Sequence, residues 1–278
     1  NARRDMVLTL EDMGFEVESS HHENAPAQHE IDFKYDEALL AADNIMTFKL
    51  VVKTISKRHG LHATFMPKPK DGVDGSGMHI NMSLSKNGRN LFQDDKDPHG
   101  LSQEAYYFLG GILKHIKGMT LNLNPLVNSY KRLMPGYEAP THIAWSGKNR
   151  TPLVRIPATR GEETRIELRS PDPSCNPYLA LAVCLSAGLD GIQNKIEPPK
   201  AMERNMHQMT PEELAAEGIE SLPTNLLEAV EEFEKDPLME QILGKEVCHK
   251  YSKAKRDEWK AYNAAVSQWE IDSYLLKV

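Results

Sequence analysis

Thr164-Arg165-Ile166-Glu167-Leu168-Arg169 is the stretch from which the fold is read. On a strand, Arg165, Glu167 and Arg169 share one face, while Ile166 and Leu168 share the other. The apolar face can pack beneath helices, and the polar face presents positive, negative and positive charge at steps of about 7 Å. Residues 77–84 repeat the pattern, with Met78, Ile80, Met82 and Leu84 pointing one way and Gly77, His79, Asn81 and Ser83 the other. Glu30 and Asp32 give a third polar face in Glu30-Ile31-Asp32-Phe33-Lys34. A solvated outer face with weak charge pairing explains one such strand, but His and Asn are poor choices for mere solubility. Several one-faced strands predict an α+β fold, a curved antiparallel sheet whose concave side is a binding floor and whose outer side carries helices.

Working outward, Met6, Leu10 and Met13 fall at helical spacing, and Phe15-Glu16-Val17-Glu18-Ser19 alternates as a strand. A polar turn over residues 21–26 follows. A helix over 37–58 is stopped by Gly60, a strand is predicted at Leu61–Met66, and Asn87-Gly88 marks a hairpin. A helix is predicted over about 101–117. Residues 125–175 alternate short strands with Pro- and Gly-rich turns. Asn176-Pro177 opens a helix, with Asn as the cap and Pro in the first turn, and the chain from Thr210 onward reads as mostly helical.

The net charge of −7 over 278 residues argues against a general nucleic-acid binder. Three cysteines (Cys175, Cys184, Cys248) without C-x-x-C spacing argue against a disulfide framework or a cysteine-built zinc site and point to the reducing cytoplasm. No apolar run is long enough to span a bilayer. The first residues lack both an initiator Met and a signal core, and they read as the middle of a longer protein.

Glu23, Glu30, His79 and Glu167 are the candidate metal ligands; their oxygen-dominated set suits Mg²⁺ or Mn²⁺. His21 and His22 are adjacent, so on a strand they point apart and cannot both join one site. Residues 131–170 carry a charge of +4, with six arginines at 132, 150, 155, 160, 165 and 169. Arginine forks match carboxylates and phosphates, and an arginine wall beside metal carboxylates is the equipment of phosphoryl transfer to or from an anionic substrate. A structural ion-pair network is the alternative. The turn Val73-Asp74-Gly75-Ser76-Gly77 is no P-loop, since no Gly-Lys-Ser/Thr follows. Pro135-Gly136-Tyr137-Glu138-Ala139-Pro140 has the composition of a surface flap with a carboxylate at its tip.

Six segments in order carry a resemblance: residues 21–30, Phe65-Met66-Pro67-Lys68-Pro69, Gly75-Ser76-Gly77-Met78-His79, Asn128-Ser129-Tyr130-Lys131-Arg132, the flap, and Arg165-Ile166-Glu167-Leu168-Arg169. Together they closely resemble the catalytic domain of type I glutamine synthetase, which would then fill residues 1–278. The resemblance implies ATP-dependent ligation of ammonium to the side-chain carboxylate of glutamate through an acyl phosphate. It implies one metal held by carboxylates including Glu23 and Glu30 and another held by His79 and Glu167. Arg132 would grip the α-carboxylate of glutamate beside the loop of Asp74 and Gly75, and Arg150 and Arg169 would neutralise the transferring phosphoryl group. Glu18, Asn81, Ser83, Arg155 and Arg165 would lie on the nucleotide side, and Glu138 would close the site and deprotonate ammonium.

The family's amino-terminal β-grasp domain and a strand with two further metal-ligand glutamates have no counterpart here, so this chain alone is expected to be inactive. Asp74 stands where the family pattern usually has Asn. Residues 217–223 lack the tyrosine that one branch adenylylates, which implies the branch controlled by feedback inhibition and regulatory proteins. A dodecamer of two stacked hexamers is implied, with helical residues 245–278 making the contact between rings. The competing functions are a γ-glutamyl–amine ligase and a non-catalytic, regulator-binding relative. Replacing Glu167 by alanine in the complete enzyme is expected to abolish activity and leave the fold largely intact.

Overall fold

The structure is a computed structural model that describes residues 1–149, 151–204 and 206–278. In chain order its elements are α1 (Ala2–Asp12), β1 (Val17–His22), β2 (His29–Phe33), α2 (Ala38–Arg58), β3 (Ile80–Met82), β4 (Ser85–Lys86), β5 (Arg89–Asn90), α3 (Gln103–Leu123) and α4 (Ser129–Arg132). Then come β6 (Trp145–Ser146), β7 (Val154–Arg155), β8 (Ile166–Leu168), α5 (Pro177–Asn194), α6 (Pro211–Ala216), α7 (Leu226–Lys235), α8 (Pro237–Leu243), α9 (Lys245–Ala264) and α10 (Gln268–Tyr274). The class is α+β.

One sheet runs in the order β3-β8-β7-β6, and β1-β2 and β4-β5 form separate hairpins. The expected antiparallel pairing holds for β3-β8 and β8-β7, but β6 and β7 are parallel. The amphipathic logic of the strands holds. Ile80, Ile166, Leu168, Val154 and Trp145 join one apolar core with Phe108, Ile112 and Ile116 of α3 and with Val183 and Ala187 of α5. Asn81, Glu167, Arg155 and Ser146 stand side by side across the strands on the other face.

The helices are set by local signals. The Asn176 side chain accepts from the Tyr178 and Leu179 N–H groups, and Pro177 occupies the first turn of α5. Asn87 and Gly88 both take positive φ, 54° and 74°, as a tight hairpin between β4 and β5 requires. Helix α3 runs beyond the predicted end at residue 117, because its glycines are contact points rather than stops. A Cβ on Gly111 would lie 2.1 Å from the Ala187 carbonyl oxygen, and one on Gly191 would lie 2.0 Å from that of Tyr107. Helices α3 and α5 therefore touch backbone to backbone. His115 of α3 is wedged between Asp190 of α5 (2.9 Å) and Asp236, the cap of α8 (2.7 Å). Burial alone would lower its pKa, but the two carboxylates outweigh that and raise it.

Three expected strands are altered, the first being that of residues 15–19, which begins at Val17 and runs through His22 into the expected polar turn. Leu61–Met66 forms none; it lies along α2, with the Phe65 ring 6.0 Å from that of Phe48. The alternation over 77–84 survives in exposure, but only Ile80–Met82 is paired. Among the described residues no helix is long and apolar enough to cross a membrane.

Candidate active site

The β1-β2 hairpin collects one group of ligating side chains. His21 pairs with Glu30 and Ser19 with Asp32, while Val17 pairs with Phe33. That register needs one extra residue, and Glu18 is the bulge that supplies it. The bulge puts Val17 on the apolar side with Ile31 while Ser19 and His21 share the polar side with Asp32 and Glu30. One ligand atom each from His21, Glu30 and Asp32 lies within 4.8 Å of the others. His21 Nε2 is also 2.7 Å from Glu23. His22 points away and meets the His29 ring edge-on at 4.9 Å, as adjacency in a strand demands. His21 and Asp32 are the members of this group that the candidate ligand set omitted. Their signal was the i, i+2 spacing from Glu30 to Asp32 and the cross-strand position of His21.

These carboxylates repel one another. Burial together with the charges of Asp32 and Glu23 pushes the Glu30 carboxyl up to about 7, against the usual 4.5. Folding therefore strengthens proton binding, and stability falls as pH rises from 4.5 to about 7. A divalent cation must displace that proton. Added Mg²⁺ or Mn²⁺ is accordingly expected to raise the Tm of the complete protein more at pH 8 than at pH 6; an equal gain at both pH values would remove the cation from this cluster.

The second group sits on the sheet. Glu167, 3% exposed, lies on β8 between β3 and β7. One of its oxygens accepts from the Arg155 guanidinium; the other is 3.1 Å from His79 Nδ1 and 3.6 Å from Arg169 Nε. Burial would raise its pKa, but His79 and Arg155 hold it below the usual carboxylate range. Burial lowers the pKa of His79, against the pull of Glu167. A charged carboxylate beside a neutral imidazole is the protonation state in which both ligate metal. The donor sets of both groups thus fit hard divalent cations.

Beside them, Arg165 Nε donates to Asn81 Oδ1 at 3.1 Å, which aligns two of the expected nucleotide-side residues. Ser83 and Glu18 are exposed. Arg132 is 2% exposed, and its guanidinium donates to the carbonyls of Arg169, Ser170 and Pro171. Burial brings its pKa down to about 10, so it remains charged at neutral pH. The glycine turn wraps this arginine: a Cβ on Gly75 would fall 2.4 Å from the Pro67 carbonyl oxygen and 3.0 Å from Arg132 Cγ. Arg150 lies outside the described residues.

The expected ligands Glu23 and Glu30 thus stand on one hairpin, while His79 immediately precedes β3 and Glu167 lies on β8 of the other sheet. Their connection runs through the turn at 74–77. Gln28 Nε2 donates to the Gly75 carbonyl (3.0 Å), and Asn24 Nδ2 donates to Asp74 (2.6 Å). The other oxygen of Asp74 accepts the N–H of Glu138 at 3.1 Å, which fixes the flap to the same turn.

Residues 1–274 match the family model described as glutamine synthetase, catalytic domain. The chain belongs to the glutamine synthetase catalytic-domain family. It is 59% identical over 277 residues to a glutamine synthetase of Clostridium saccharobutylicum, covering 100% of this chain and 62% of that protein. It is 55% identical over 275 residues to one of Staphylococcus aureus strain MW2, covering 99% and 62%. Among solved structures, a GmaS/ADP complex aligns with a TM-score of 0.90 at 39% identity, over 99% of this chain and 63% of that one. A Plasmodium falciparum glutamine synthetase aligns at 0.88 and 32%, over 98% and 61%. The chain therefore spans a little over three-fifths of the length of the family members it matches.

Proposed function

We propose that the complete protein joins ammonium to the γ-carboxylate of L-glutamate at the expense of ATP, giving L-glutamine, ADP and phosphate. The observation that carries this reading is Glu167, a buried, charged carboxylate held between a neutral imidazole and two arginines on the polar face of the sheet. Glu23 and Glu30 hold one divalent cation, with His21 and Asp32 beside them, and His79 and Glu167 hold the other. Mg²⁺ or Mn²⁺, when bound, offsets the negative charge of the phosphate oxygens.

A carboxylate is a poor acyl donor, so the γ-carboxylate of glutamate is first phosphorylated to γ-glutamyl phosphate. Arg169, with Arg150, neutralises the transferring phosphoryl group. Arg155, Arg165, Asn81, Ser83 and Glu18 orient the nucleotide. Arg132, with the Asp74–Gly75 turn over it, sets the glutamate end of the site positive. Glu138 covers the site, excludes water from the acyl phosphate, and takes a proton from ammonium so that ammonia can attack. The active assembly is a homo-dodecamer in the cytoplasm, open to regulatory proteins. Exposed apolar residues of the carboxy-terminal helices (Trp269, Ile271, Tyr274, Leu275) support the contact between rings.

The deciding experiment measures product and phosphate with the complete protein, glutamate, ATP and Mg²⁺ or Mn²⁺, comparing ammonium with polyamines. Glutamine formed from ammonium supports the reading; amide formed only from the polyamine reassigns the enzyme to amine ligation, and no product from either leaves a non-catalytic relative. Glu138→Ala is expected to slow ammonium-dependent synthesis by on the order of 10²-fold and to raise the phosphate released per glutamine formed. Unchanged coupling would take the water-excluding role away from the flap.

A further inference from the structure

Behind the flap stands a lysine with no role so far. Lys68 is 8% exposed and belongs to the stiff loop that leads into the glycine turn. Its backbone is clamped by one side-chain amide: its N–H donates to Asn128 Oδ1 at 2.8 Å, and Asn128 Nδ2 donates to its carbonyl at 3.0 Å. Its ammonium donates to the Val73 carbonyl and lies 3.3 Å from the centre of the Tyr137 ring. Tyr137 is the flap residue immediately before Glu138. The neighbour of Val73 is Asp74, whose carboxylate accepts the Glu138 N–H. Consecutive residues of the turn thus anchor consecutive residues of the flap, one through a cation and a ring, the other through a carboxylate and an amide. Desolvation lowers the Lys68 pKa, while Asp74 and Asp71 oppose it at longer range. The aromatic face therefore meets a poorly hydrated cation, the condition under which such contacts are strongest.

We infer that Lys68 is a positioning residue for the flap: by holding Tyr137 against the Val73 turn it sets how long Glu138 stays over the site. The inference rests on the proposed role of the flap in excluding water from the acyl phosphate. A desolvated cation–π contact is strong enough to shift an open–closed balance about tenfold or more. Loss of the contact leaves Glu138 its carboxylate but shortens the time it covers the reacting atoms.

The test uses the complete protein with Lys68→Met, Tyr137→Leu, their combination, and Tyr137→Phe, which keeps a ring for the cation. Lys68→Met and Tyr137→Leu are each expected to speed amide exchange over residues 136–139 about tenfold. Each also raises the phosphate released per glutamine, with KM for ammonium rising more than kcat falls. The double variant matches the singles, since all three break one contact, and Tyr137→Phe stays with the parent. Parental exchange and parental coupling in folded Lys68→Met overturn the inference, as do single effects that add in the double variant. If Lys68→Met does not fold, Tyr137→Leu decides by the same two readouts. Should the complete protein form no glutamine, the functional reading fails separately, and flap exchange alone decides: faster supports the latch, unchanged overturns it.

Discussion

In the complete protein, Glu167→Gln is expected to leave the fold formed and to slow the proposed glutamine formation by at least on the order of 10³-fold. The side chain keeps its shape but loses the charge that balances Arg155 and Arg169. Removing one partner of a fully buried ion pair costs about 3–5 kcal/mol; here the Arg155 side chain is 31% exposed and water takes up part of its charge, so the loss of stability is expected to be smaller. This revises the expectation that Glu167→Ala would leave the fold largely intact. With a 3% exposed carboxylate on the strand between β3 and β7, alanine adds a cavity to the uncompensated arginines, so glutamine is the cleaner probe. Activity, Tm and Mn²⁺ affinity measured together separate the effects. A Gln variant within tenfold of the parent rate would leave Glu167 as a structural counter-ion and nothing more.

Gly191→Ala tests a tight packing constraint between α3 and α5. At a solvent-facing helical position this change stabilises by about 1 kcal/mol, because alanine is the better helix former. Here the new methyl would stand 2.0 Å from the Tyr107 carbonyl oxygen and 2.8 Å from the Cα of Gly111, all of it backbone that cannot rotate aside. Helices α3 and α5 must separate, and the core they share with the sheet separates with them. Overpacking of this kind costs about 1–3 kcal/mol and more where nothing yields. A Tm lower by roughly 10 °C is expected, and a Tm equal to or above that of the parent would mean the helices do not approach as described.

Much of the architecture was legible because it is written in short-range rules. The alternation in residues 77–84 and 164–169 separated polar from apolar faces correctly, since a strand turns successive side chains to opposite sides whatever surrounds it. Asn176-Pro177 and Asn87-Gly88 fixed a helix start and a hairpin turn for equally local reasons. Leu61–Met66 misled because strand-like composition says nothing about whether a partner strand exists. Phe65 found α2 instead. Helix α3 ran past its expected end near residue 117, and only the facing helix showed that Gly111 is a point of contact with α5.

The sequence by itself determined the amphipathic elements, the acidic chain with its arginine-rich segment, and the residue types able to hold a divalent cation beside an anion. Only the tertiary structure decided which of them meet. The register of β1 on β2 sets His21 opposite Glu30, and the pairing of β7 with β8 sets Glu167 beside Arg155. Asp74 ties the hairpin tip to the flap, and Lys68 reaches Tyr137 across 69 positions of chain. Periodicity is a property of the backbone and survives in any window of residues. Convergence depends on register, loop path and packing between segments far apart, which no window contains.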